Sequence, residues 1–124
     1  MGYAVQSIGQ WQAWVPTFTG FSADPTSVTA RYTLSGKMCT AYFFATSGTS
    51  NATTFTITLP FAAANVEDPQ TFAGNVVDNG TGKVGIVRTR VNSNVLDVYN
   101  GATGTAFTAS GAKNAAFSIT YEIA

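Results

Sequence analysis

Along most of its length this chain alternates apolar and polar side chains one for one. Phe55, Ile57 and Leu59 are interleaved with Thr54, Thr56 and Thr58, and Phe117, Ile119, Tyr121 and Ile123 with Ser118, Thr120 and Glu122. Val28, Ala30, Tyr32 and Leu34 alternate in the same way with Thr29, Arg31 and Thr33. Successive side chains of a strand point to opposite faces, so a period of two buries one face and leaves the other in water. An amphipathic helix needs apolar residues every three or four positions instead. The pattern predicts strands from end to end.

Further strands are expected over residues 14–21, 37–46, 71–77, 83–91, 95–99 and 105–109, where Thr, Val, Phe and Tyr suit a pleated, half-buried surface. The breaks between them carry turn chemistry. Asp78, Asn79 and Gly80 form a hairpin signal, because Asn and Gly accept the positive φ of a tight turn. Asn92, Ser93 and Asn94 suggest a second hairpin, and Asn100 with Gly101 a third turn. The loops at 46–52 and 60–69 are longer, and Ala62, Ala63 and Ala64 suffice for one helical turn only. Roughly eight short strands with regular turns call for an antiparallel sandwich or barrel. The 124 residues are expected to form one β-sandwich domain over 11–124, preceded by an N-terminal arm over 1–10. The arm has no period-two run; Gly2 and Gly9 give it flex points, and Tyr3, Val5 and Ile8 are its candidate attachment residues.

Six basic residues balance six acidic ones, and charged residues are only 10% of the chain. Nucleic-acid binding needs a clustered basic surface, so no nucleic-acid partner is expected. Arg88 and Arg90 come nearest to such a patch and read as a solvated strand face. Aromatic residues at 13% argue against disorder. No apolar run approaches the ~18 residues of a spanning helix, so membrane insertion is not expected. The N-terminus has neither the basic start nor the apolar stretch of a secretory signal. Cys39 is the single cysteine and is expected to be a buried thiol.

Chemistry is sparse. The chain has no histidine, which removes the commonest general base and metal ligand. The stretch from Gly80 to Lys83 lacks the spacing of a phosphate-binding loop. A glycoside hydrolase needs two carboxylates held ~5–9.5 Å apart. Asp24 and Asp68 precede prolines, Asp78 belongs to a turn, and Asp97 and Glu122 fall outward on alternating strands. Glu67 with Asp68 is a weak candidate calcium loop. Neither a catalytic site, a cofactor nor a metal is expected, and the chain is read as a non-enzyme. Tyr3, Trp11, Trp14, Tyr32, Tyr42 and Tyr99 are available for a sugar platform. Trp14 and most tyrosines are expected to pack in the sandwich or an interface. Trp11 and Tyr99 remain the candidate glycan or interface residues.

Two blocks carry a family resemblance: Trp11, Trp14, Pro16 and Thr17 in W-x-x-W-x-P-T, then Ala30, Arg31, Tyr32, Gly36 and Lys37 in A-R-Y-x-x-x-G-K. Together they resemble small β-sandwich modules of tailed-phage and prophage virion surface proteins. That resemblance implies a jelly-roll-like antiparallel β-sandwich, assembled as a homotrimer and located on the virion after assembly in the host bacterial cytoplasm. It implies a bacteriophage structural protein, a capsid or tail decoration protein bound to other virion proteins through its arm. The alternative is the receptor-binding tip of a tail fibre, touching a host cell-surface glycan; a polysaccharide-degrading enzyme is the third reading. A complete gene product of this length would favour decoration, since a fibre normally adds a shaft; an excised fragment would favour recognition.

Overall fold

A computed structural model describes residues 10–50, 52–65 and 70–124. Among them the chain forms nine strands and no helix: β1 (Gln12–Ala13), β2 (Phe18–Thr19), β3 (Ser27–Ser35), β4 (Met38–Thr49), β5 (Phe55–Thr58), β6 (Thr71–Asp78), β7 (Thr81–Thr89), β8 (Val95–Tyr99) and β9 (Ala112–Glu122). All pair antiparallel in one sheet, in the order β1-β3-β4-β9-β6-β7-β8-β5-β2. The expected all-β architecture is what the chain adopts.

The sheet curls on itself because β1 and β2 are two pieces of one stretch that serve opposite edges. Gln12 and Ala13 face Tyr32 and Arg31 of β3, whereas Phe18 and Thr19 face Ile57 and Thr56 of β5. Between them the Trp14 N–H donates to the Ala30 carbonyl at 3.2 Å, and the Thr58 N–H donates to the Thr17 carbonyl at 3.1 Å. Pro16 lies at the switch, where it has no N–H to offer a ladder. The continuous strand expected over 14–21 is therefore corrected to a strap that leaves one edge and joins the other, a corner of the kind that lets strands change sheets.

Other expectations meet the same test. Asp78 pairs with Thr81 across a two-residue turn, with φ of 50° at Asn79 and 84° at Gly80. Asn92 also has positive φ, 53°, in the link from β7 to β8. No strand forms over 105–109. Instead the Asn100 N–H donates to the Thr105 carbonyl and the Phe107 N–H to that of Thr53, each at 2.8 Å. The buried Phe107 ring packs 4.8 Å from that of Phe55, so one side chain anchors the loop without a ladder. The alanines at 62–64 form no helical turn; Ala63 bridges Ile123, and the Ala64 N–H donates to the Glu122 carbonyl.

The inward residues make one core. Cys39, Ala41 and Phe43 of β4 meet Phe117, Ile119 and Tyr121 of β9, with Ile57, Val76, Val87, Leu96 and Val98 from the facing strands. Burying each large apolar side chain contributes about 1.5–3 kcal/mol. Phe117 packs 5.4 Å from Phe43 and lies over Gly74, where a Cβ would come within 2.1 Å of its ring. The glycine is the notch that receives the ring.

Candidate functional site

The outer face of β1, β3, β4 and β9 is set by the parity that builds the core. Cys39, Ala41 and Phe43 point in, so Thr40, Tyr42 and Phe44 point out. Register then assembles three rows: Ala13, Arg31, Tyr42 and Ser118; Thr33, Thr40 and Thr120; Thr29, Phe44 and Ala116. The Arg31 guanidinium carbon sits 4.6 Å from the centre of the Trp11 ring and 5.2 Å from that of Tyr42. Trp11 is 45% exposed and Phe44 41%. The Thr40 and Thr120 hydroxyls lie 3.0 Å apart. The result is an aromatic patch edged by hydroxyls and carried on paired strands. Beside it, between the strap and β3, runs an open groove of about 460 Å³ that Trp14, Val15, Pro16, Val28 and Arg31 help to line.

Arg31 is unlike the other arginines. Arg90 makes a forked pair with Asp97, Nη2 to Oδ1 at 2.7 Å and Nε to Oδ2 at 2.9 Å, which keeps its guanidinium more firmly protonated. Arg88 donates to the Thr71 hydroxyl at 3.3 Å and leans on the Tyr99 ring at 5.7 Å. Both remain exposed, as the solvated face expected for them requires, but their guanidiniums already have partners on their own side of the sheet. Among the described residues the Arg31 side chain has no acidic partner and no hydrogen bond; its guanidinium rests on the two rings. Exposed cation–π contacts of this kind contribute about 0.5–1 kcal/mol each.

Of the candidate residues, Trp11 belongs to this patch. Tyr99 does not: β4, β9, β6 and β7 stand between its strand and β3 in the sheet order. Tyr3, Val5 and Ile8 lie outside the described residues, as do Glu67 and Asp68. Trp14 is half-buried; its Nε1–H donates to the Thr58 carbonyl at 3.0 Å and its ring meets Tyr32 edge-on at 6.4 Å. That is the packing role expected of it. Among the described residues no three His, Cys, Asp or Glu side chains cluster as metal ligands. Cys39 is buried as expected, and burial pushes its thiol up against the opposing effect of Tyr121.

Asp78 corrects its reading as a plain turn residue. It is buried and paired with Lys113, which is wholly enclosed. Counting in twos from Phe117 through Ala115 places Lys113 on the inward face, and an inward ammonium requires an acid. That signal was present in the alternation. Arg31 carried no such signal: Trp11 and Arg31 share a face only because β1 pairs with β3.

No family model and no curated protein matches the chain. Among solved structures, the head domain of phage bIL170, discussed with the receptor-binding domains of lactococcal phages, aligns with 89% of this chain and 100% of its own, at 9% identity and a TM-score of 0.42.

Proposed function

We propose that the chain is a non-enzymatic surface module of a tailed-phage virion that binds a host cell-surface glycan on its Trp11–Arg31–Tyr42 face. The observation that carries the binding role is an exposed indole just before β1, stacked on Arg31 of β3 beside a row of threonine hydroxyls. Aromatic faces accept the apolar face of a sugar ring, and nearby hydroxyls take its polar groups. Oriented aromatics on a rigid scaffold present that surface at little entropic cost. The virion setting and the homotrimer rest on the sequence resemblance of the W-x-x-W-x-P-T and A-R-Y-x-x-x-G-K blocks.

Purified protein should adsorb to host cells and compete with phage for them. Trp11→Ala should abolish adsorption while leaving the circular dichroism spectrum unchanged. Native mass spectrometry should give three copies. A protein that ignores cells and cell-wall glycans, yet incorporates stoichiometrically into capsids or tails, would replace this reading with decoration.

A further inference from the structure

We infer that Arg31 makes this face selective for acidic saccharides, those bearing a phosphate or carboxylate group; the inference rests on the glycan-binding reading above. Three observations converge on it. The guanidinium is held against two rings, which orients its plane, while its N–H groups have no hydrogen-bond or acidic partner among the described residues. A planar fork with unspent donors matches the two oxygens of a carboxylate or phosphate.

The surroundings also admit an anion. Arg31's neighbours in register and along its own strand are Ala13, Tyr42, Thr29 and Thr33, none of which carries charge. Glu122 is the acid on this outer face of β9, and it stands opposite Met38, four residues along β4 from Tyr42. At ~3.3 Å per residue the separation is about 13 Å, beyond the ~8 Å over which physiological salt leaves exposed charges in contact.

Finally, the chain's net charge is zero, so no overall field draws acidic polymers to the protein. Selectivity for an anion must then come from a local group. Arg90 is committed to Asp97 and Lys113 to Asp78, Lys83 and Arg88 belong to β7, and Lys37 lies in the β3–β4 turn, where it donates to the Ala124 carbonyl; Arg31 is the cation in contact with the aromatic patch.

The test is calorimetric titration of the purified protein with oligosaccharides from host cell-wall polysaccharide in three forms: untreated, dephosphorylated and carboxyl-reduced. The form that keeps its acid should bind at least tenfold more tightly than the neutralised one, and the two treatments separate phosphate from carboxylate. Arg31→Gln should bring the ratio of acidic to neutral affinity down to about one, whatever the loss of the guanidinium behind the Trp11 ring does to both affinities. Arg31→Lys should keep part of the preference, because the charge remains and the fork does not. Far-ultraviolet circular dichroism of both variants should match the wild type. Equal affinity for acidic and neutral forms, or a preference that survives Arg31→Gln, would overturn the inference while leaving glycan binding intact. Absence of binding to all three forms would remove glycan binding as well.

Discussion

The Lys113 ammonium and the Asp78 carboxylate stand opposite one another in the β6–β9 register and meet at 2.8 Å, with the lysine side chain fully enclosed. The other Asp78 oxygen accepts from Asn100 Nδ2 at 3.0 Å, the Thr108 N–H at 3.0 Å and the Thr108 hydroxyl at 2.9 Å. Lys113 also donates to the Ser110 carbonyl. One buried pair thus fastens the β8–β9 loop to β6. Removing one partner strands the other charge, which typically costs ~3–5 kcal/mol. Lys113→Met and Asp78→Asn should each lose about that much in denaturant titration. The double replacement Asp78→Leu/Lys113→Met should cost less than the sum of the two single effects, since no bare charge remains.

The same carboxylate should govern acid stability. Burial works to raise the Asp78 pKa, but the bonds from Lys113 and Thr108 outweigh it and hold the group below its ordinary 3.8. The unfolded chain therefore binds this proton more readily than the folded one, and the stabilisation is present above pH 3.8 and lost as pH falls through the lower folded value. Melting temperature should fall as the pH drops below about 4. In Asp78→Asn that acid limb should flatten, on top of a lower neutral-pH value. An unchanged limb would assign acid sensitivity to another carboxylate.

The two tryptophans should separate by thermal melting. Large aromatic truncations at buried sites cost ~3–5 kcal/mol. The half-buried Trp14, bonded to the Thr58 carbonyl, should fall near the lower end as Trp14→Ala. Trp14→Phe should lose about 1 kcal/mol with the hydrogen bond. Trp11→Ala, on the exposed face, should stay within about 1 kcal/mol of wild type.

Gly74→Ala should be destabilising beyond its size. The added carbon would fall 2.1 Å from a Phe117 ring carbon and 2.7 Å from the Ala116 carbonyl oxygen. Overpacking of this kind costs about 1–3 kcal/mol. Pairing it with Phe117→Leu should recover only part of the loss, because the backbone contact stays. Urea unfolding of the two variants measures both effects.

What was legible in the chain was local. Strand placement over β3, β5 and β9 follows from alternation, a property of successive Cβ directions. The turn at Asn79 and Gly80 follows from which residues tolerate positive φ. Even the inward parity of Lys113 can be counted without a structure. Three things required the tertiary fold. The stretch from Gln12 to Thr19 divides between two sheet edges because β3, which pairs with its first half, and β5, 44 and 41 residues away for the Trp14–Thr58 and Thr17–Thr58 bonds, come to lie on either side of it. Phe107 becomes an anchor because Phe55 waits for it in the core. Arg31 meets Trp11 and Tyr42 only through the pairing of three strands. Alternation states which face a side chain occupies; the partner it finds there is decided by register between distant strands, and no local preference encodes that.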